Sequence, residues 1–156
     1  METLVARNFA GGREFVGRMP KDQDIVATIE DFCARNAIMS GAVSLIGAAS
    51  SATLGTYDQK QQVYVTFKKE GHLEILSCLG NISLKDEKPF LHAHIILADE
   101  AGNAMGGHLF SETICFAGEI YIRELTGATL ERNYDEATGL MLWDMAADNA
   151  EAARQT

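Results

Sequence analysis

FLHAHIILADEAGNAMGGHLF, residues 90–110, contains the clearest indication of the fold in this chain. Residues 90–98 and 104–110 have the composition of two β-strands, and DEAGN (99–103) between them is a cluster of turn-forming residues. So short a connection joins antiparallel neighbours, because a parallel pair needs a crossover of about a dozen residues or more. The stretch therefore predicts a β-hairpin whose turn is centred on Ala101.

Further strands are predicted on both sides of this hairpin. Apolar and polar residues alternate there, and turn residues separate the segments. The predicted strands lie at residues 3–9, 13–18, 42–47, 52–57, 62–67, 72–83, 115–125 and 140–143. The predicted turns lie at Gly11-Gly12, at 85–87 and at 133–139.

One long helix is predicted, in the segment that begins at Ile25. Apolar residues recur there every four positions, at Ile25, Ile29 and Cys33, while Asp22 and Asp24 stand where a helix start is capped. With one helix available for crossovers, the sheet must be largely antiparallel. The predicted fold class is α+β, a largely antiparallel sheet with one principal α-helix.

The size and composition indicate one globular domain. The chain has 156 residues, of which 47% are hydrophobic and 22% charged, values near the average for globular proteins. We assign residues 1–145 to a single domain and 146–156 to an acidic C-terminal tail. Apolar runs are far shorter than the roughly 20 residues that a membrane span needs, and the first residues lack the apolar core of a secretory signal. We expect a cytoplasmic protein without membrane association.

The cysteines and the net charge narrow the function classes. Cys33, Cys78 and Cys115 are odd in number, far apart and set among apolar residues, which is typical of reduced thiols in a core. The net charge of −9 argues against nucleic acid as a partner, because Lys and Arg contacts to phosphates supply most of that affinity.

Three of the four histidines fall in the predicted hairpin, residues 90–110. His92 and His94 are two residues apart on one predicted strand, so their side chains leave the same face. A turn centred on Ala101 sets His108 opposite His94 and diagonal to His92, so three imidazoles would converge. Three neutral imidazoles with open positions suit zinc or another divalent metal, and Gly106-Gly107 would let another backbone or a ligand approach closely.

Two alternatives to the metal site stay open at this point. A register slip of one residue would place His108 on the opposite face. An H-x-H pattern on a strand is also found in histidines that only make hydrogen bonds or face solvent.

The sequence resembles a known family over residues 13–142. The segments that carry the resemblance are GAVSLIGA (41–48), EILSCLG (74–80), PFLHAH (89–94), GGHL (106–109) and DEATGL (135–140). They are similar to the plant-and-prokaryote conserved (PPC) domain in its stand-alone prokaryotic form, whose members are often described as DNA-binding proteins and have a fold like that of acetolactate decarboxylase. The resemblance implies a homotrimer, and it implies that His92, His94 and His108 can hold a metal. Plant members bind DNA through attached AT-hook segments, a motif this chain lacks.

Four charged residues are further candidates for the site. Glu74 and Glu119 are the predicted catalytic carboxylates: Glu74 shares a strand with His72, and Glu119 interrupts an apolar run. Arg13 and Arg18 flank a strand and are the predicted clamp for an anionic substrate. For Glu74, Arg13 and Arg18 the alternative is ordinary surface exposure, and for Glu119 it is pairing at a subunit contact.

Three functions from different classes follow. The preferred one is a trimeric protein that binds a divalent metal, with zinc as the first candidate, and a small anionic metabolite. In the enzymatic form of this hypothesis, the metal takes part in a reaction of that metabolite. The second is a DNA-associated regulatory protein, as the family description suggests. The third is a trimeric interaction module in which a metal is at most a structural element.

Overall fold

The computed structural model describes residues 4–145, and it has the predicted α+β class. Within that range one helix accompanies a six-stranded sheet and a two-stranded sheet, and the strands in each sheet pair antiparallel. The elements are β1 (Ala10–Met19), α1 (Ile25–Arg35), β2 (Gly41–Asp58), β3 (Val63–Lys85), β4 (Lys88–Ala98), β5 (Ala104–Leu109), β6 (Ile114–Thr126), β7 (Arg132–Asp135) and β8 (Leu140–Trp143).

The large sheet closes partly on itself. Its strand order is β1-β6-β2-β3-β4-β5, and β5 also pairs with β2. β2 is long enough to do both: its first part pairs with β6, and further along Leu54 pairs with Leu109 and Gly55 with His108. β2, β3, β4 and β5 therefore form a closed ring of strands, and β6 and β1 extend the sheet beyond it.

Two strands are much longer than predicted. β2 joins the segments predicted at 42–47 and 52–57, and β3 joins those predicted at 62–67 and 72–83. The register between the two strands shifts near Ile46 and again near Ser50, and such bulges change which residues face the core. An uninterrupted strand then looks like two strands in the sequence. At Gly47, with φ +144°, an added Cβ would overlap the carbonyl oxygen of Ala117, so glycine alone fits.

The predictions for both ends of the fold need correction. Gly11-Gly12 lies inside β1, where the register with β6 shifts, and it is not a turn; residues 4–9 form no strand. The turn predicted at 133–139 spans only residues 136–139, because Arg132–Asp135 is a strand that pairs with Leu140–Trp143. The predicted tail, 146–156, and residues 1–3 lie outside the described residues.

The helix and the core agree with the sequence. The Asp24 side chain caps α1 by accepting a hydrogen bond of 2.8 Å from the Ala27 N–H, and Ile25, Ile29 and Cys33 are fully or almost fully buried. All three cysteines are buried and free, as predicted. Over residues 4–145 we find no helix with the length and apolarity that a membrane crossing requires.

Candidate metal centre

The three histidines lie on the β4–β5 hairpin in the predicted register. His94 on β4 pairs directly with His108 on β5, and His92 is two residues earlier on β4. The prediction of a turn centred on Ala101 is therefore confirmed, and the one-residue slip is excluded.

The imidazoles converge on one point. Each histidine offers one ring nitrogen such that the three nitrogens lie within 4.8 Å of one another. The ring centroids are 5.1 Å apart for His92 and His108, 5.4 Å for His92 and His94, and 5.5 Å for His94 and His108. No other group of three such ligands is found among residues 4–145.

The strand alternation and two glycines explain this placement. Leu91, Ala93 and Ile95 point into the core, so the histidines between them point outward. An added Cβ at Gly107 would lie 2.7 Å from the backbone oxygen of Gly55. The close approach of another backbone, expected from the glycines beside His108, is thus present where β5 meets β2.

Burial keeps two of the imidazoles neutral at pH 7. Loss of solvent lowers the pKa of His108 to about 4, with smaller contributions from His92, His94 and Arg132. Burial likewise lowers the pKa of His92, helped by Arg132 and His94. The Nδ1 atom of His108 is buried and has no hydrogen-bond partner in the described structure. In a neutral imidazole one of the two ring nitrogens carries a lone pair that can bind a metal ion.

A cavity of about 490 Å³, the histidine cavity, opens beside His92 and His108. Tyr64 and Phe110 pack on His108, with ring centroids 4.9 and 4.6 Å from the imidazole. The volume falls in the usual range for small-molecule sites. His94, the third histidine, is exposed on the outer side of the sheet.

The cavity contains a buried arginine that the sequence analysis missed. Arg132 is 6% exposed and donates to Ser83 Oγ (2.8 Å), Asn81 Oδ1 (3.0 Å) and the Met141 carbonyl (3.1 Å). Its guanidinium carbon lies 5.5 Å from the ring centroids of both Phe90 and Trp143. All three hydrogen-bond acceptors are neutral, and no carboxylate in the described range forms an ion pair with this arginine.

A half-buried carboxyl group, Glu30, lines the same cavity and was also missed. Its Oε1 accepts a hydrogen bond of 2.9 Å from the Leu91 N–H, next to His92. Burial raises the pKa of Glu30, opposed by that hydrogen bond and by Lys85. In the sequence Glu30 looks like an ordinary polar position on the helix, so only its contact with β4 identifies it.

The four charged residues predicted for the site lie elsewhere. Arg13 is held by the Glu124 carboxylate, with a shortest distance of 2.7 Å, and the pair lowers the pKa of Glu124 to about 2. Arg18 pairs in register with Glu119, and both are exposed. Glu74 is exposed on β3 opposite Ala98. None of them lines the histidine cavity, so their predicted roles in catalysis and anion binding stay predictions without a link to this site.

Comparison with known proteins gives a consistent result. The model of the Plants and Prokaryotes Conserved (PCC) domain matches residues 6–126. A metal-containing protein from Archaeoglobus fulgidus is 42% identical with a TM-score of 0.87, over 90% of this chain and 99% of that one. A plant- and prokaryote-conserved protein from Pyrococcus horikoshii is 33% identical with a TM-score of 0.86, over 90% and 97%. A protein from Bacteroides thetaiotaomicron, named as a candidate DNA-binding protein, is 28% identical with a TM-score of 0.79, over 88% and 97%.

Two more distant matches add little about function. The bifunctional protein GlmU of Synechococcus is 29% identical over 126 residues, 80% of this chain, and the chain spans only 19% of that protein. Acetolactate decarboxylase from Bacillus subtilis is 15% identical with a TM-score of 0.51, over 91% of this chain and 64% of that one. The second match supports the expected likeness of fold and nothing further.

Proposed function

Since this chain belongs to the Plants and Prokaryotes Conserved domain family, we propose that it is a member that binds a divalent metal ion through His92, His94 and His108. Zinc is the metal we expect first, because it accepts three imidazole nitrogens and leaves a fourth position for water or substrate. The histidine cavity beside the cluster would hold the small molecule that takes this position.

The observation that carries the proposal is the convergence of three imidazoles, two of which burial keeps neutral. Nitrogens at about 2.05 Å from a tetrahedral zinc lie about 3.4 Å apart. The present spacing, within 4.8 Å, needs only small ring movements to reach that value. The metal-containing relative from Archaeoglobus fulgidus supports the same proposal.

A metal in this position would supply Lewis acidity toward an oxygen atom of a bound ligand. Around it, this chain's own residues would bind and orient that ligand. Tyr64 and Phe110 pack on His108, and the Glu30 carboxyl group lines the same cavity and accepts the Leu91 N–H next to His92. The enzymatic version of the proposal therefore rests on Glu30 for proton transfer, in place of Glu74 or Glu119.

We also propose that the protein assembles as a homotrimer, as the family resemblance implies. Four large apolar side chains, Ile46, Leu76, Leu79 and Ile96, are 50–63% exposed on neighbouring strands. Contiguous apolar surface of this kind is typical of contacts between proteins. Leu79 pairs with His94, so a neighbouring subunit on this surface would lie beside the metal site.

DNA association is the second candidate, and the description of the Bacteroides thetaiotaomicron relative favours it. The net charge of −9 opposes it, because binding to DNA depends on cationic contacts with phosphates. Electrophoretic mobility shifts at low salt and at 200 mM salt distinguish the two functions. Binding that falls steeply with salt would support DNA association, and no shift at low salt would contradict it.

The metal site is tested by measuring metal content. Untagged wild type, the His92→Ala/His94→Ala variant and a His72→Ala control are incubated with zinc, desalted and analysed by plasma mass spectrometry. His72 is the fourth histidine, exposed and paired with Glu100, so its variant should bind as much zinc as wild type. We expect about one equivalent in wild type and control, and none in the double variant.

The contrary results are equally clear. No zinc in wild type, or equal zinc in the double variant, rules out the three-histidine site. In that case a trimeric interaction module would be the better account of the protein.

A further inference from the structure

We propose that the histidine cavity binds a small monocarboxylate with an apolar body, and that Arg132 holds its carboxylate. This proposal depends on the metal site proposed above. The metal ion would face the other end of the ligand. This assigns anion binding to Arg132 on β7, in place of Arg13 and Arg18 on β1.

The first support is the unbalanced charge of Arg132. A buried guanidinium is costly unless an anion pairs with it, and the partners of Arg132 are a hydroxyl, an amide oxygen and a carbonyl. A guanidinium has five N–H groups, so three hydrogen bonds leave one N–H on Nη1 and one on Nη2. Two such donors match the two oxygens of a carboxylate.

The second support is the position of Arg132 relative to the histidines. Arg132 lines the same cavity as His92 and His108. It donates to Asn81 Oδ1 at 3.0 Å, and Asn81 pairs with His92 across β3 and β4. A ligand in this cavity can therefore contact the guanidinium and also lie beside the histidines.

The third support is the apolar character of the cavity wall. Phe90 lies under the guanidinium, and Leu140, Met141 and Leu142 of β8 line the cavity beside it. Apolar walls with a few polar groups are typical of sites that bury an organic ligand. Inorganic phosphate is strongly hydrated and would make no favourable contact with these apolar walls. The aliphatic part of a branched carboxylate would pack against them.

The β7–β8 hairpin carries most of these features, and it lies outside the matched family region, residues 6–126. Two hydrogen bonds hold the hairpin at the cavity. The Tyr57 hydroxyl donates to the Thr138 carbonyl at 2.7 Å, and the Gln62 amide donates to the Ala137 carbonyl. The same hairpin supplies both Arg132 and the apolar wall. The choice of ligand should therefore depend on this hairpin, while the choice of metal depends on β4 and β5.

The experiment uses zinc-loaded wild type, Arg132→Met and, as a matched control, Arg18→Met. Arg18 is exposed and lines a different cavity. The probe is 3-methylbutanoate, compared with 3-methylbutanamide, which has the same shape without the charge. Binding is followed by calorimetry and by fluorescence of Trp143, the only tryptophan, whose ring lies against Arg132.

We expect 3-methylbutanoate to bind wild type and Arg18→Met equally, and to bind Arg132→Met roughly 10- to 100-fold more weakly, as for loss of hydrogen bonds to a charged group. The amide should bind weakly to all three. Zinc content should be the same in all three, which separates this inference from the metal site itself. Arg132→Lys, which keeps the charge but not the two-pronged geometry, serves if methionine prevents folding, and it should also weaken binding.

Several outcomes would overturn the inference. They are equal affinity of wild type and Arg132→Met or Arg132→Lys for the carboxylate, a loss confined to Arg18→Met, and no binding of 3-methylbutanoate by zinc-loaded wild type at millimolar concentration. Binding of inorganic phosphate through Arg132 without binding of the carboxylate would overturn the ligand class. Absence of zinc from wild type would instead contradict the proposed function.

Discussion

The two faces of β4 differ sharply in what they contain. Leu91, Ala93, Ile95 and Leu97 point inward and are at most 4% exposed. His92 and His94 alternate with them and point outward, where they meet His108 of β5. Because one strand serves both faces, a substitution at a single position should alter either the stability of the fold or the chemistry of the site, and rarely both.

The strongest test of this separation is Leu97→Ala. Leu97 is fully buried, and removing such a side chain usually costs about 2–5 kcal/mol. We expect the free energy of unfolding in urea to fall by this amount, while any folded protein binds zinc as wild type does. Loss of zinc from a fully folded Leu97→Ala variant would show that the two faces are coupled.

The next effect in size is stabilisation by zinc. A ligand present at a hundred times its dissociation constant stabilises the folded state by about 2.7 kcal/mol. Thermal and urea unfolding of wild type should show this shift, and the His92→Ala/His94→Ala variant should show none. Without metal, the double variant should unfold within about 1 kcal/mol of wild type, because both side chains lie on the outer face. A larger loss would mean that the histidines also support the fold.

A smaller effect is expected from pH in the metal-free protein. The pKa of His108 is about 4 in the folded state, against 6.5 for the ordinary group. The unfolded chain therefore takes up a proton first, so stability is complete above pH 6.5 and falls as the pH drops toward 4. For this half-buried group we expect a loss on the order of 1–2 kcal/mol, measured by urea unfolding at pH 7.5 and 4.5.

The matched variant for this test is His108→Gln, which removes the titrating group. Its stability should change less between the two pH values than that of wild type. Identical pH dependence in both proteins would assign the effect to other groups.

The smallest effect on unfolding is expected at Ile96→Ser, on the outer face between the two core positions Ile95 and Leu97. Ile96 is 50% exposed, and surface substitutions usually stay within about 0.5 kcal/mol. If the outer face forms the proposed trimer contact, sedimentation velocity should instead show smaller species. Unchanged sedimentation, together with a fall of more than about 2 kcal/mol in the free energy of unfolding, would contradict the proposed contact. It would show that Ile96 supports the fold instead.

The sequence predicted the histidine cluster because its three members are close together in the chain. His92, His94 and His108 lie on one hairpin, and turn position with strand periodicity is enough to bring them together. Arg132 and Glu30 could not be found in this way. They reach the cavity from β7 and α1, far from the hairpin in sequence, and each looks like an ordinary surface residue until the chain is folded.

The prediction of the fold succeeded and failed for similar reasons. The class and the single capped helix followed from apolar periodicity, which holds over α1 and over β4. The lengths of β2 and β3 did not, because bulges shift the periodicity inside both strands. The glycines of β1 have the composition of a turn, but pairing with β6 holds them extended. Long-range pairing therefore overrode the local signal.

The pairing of β1 with β6 has a consequence for synthesis on the ribosome. Ala10 pairs with Thr126, and Met19 with Gly118, so β1 leaves the ribosome about 100 residues before its partner. At roughly 5–20 residues per second, the nascent strand waits for about 5–20 seconds. Of its ten residues only Phe15, Val16 and Met19 have large apolar side chains, so it offers little apolar surface to chaperones or to other nascent chains while it waits.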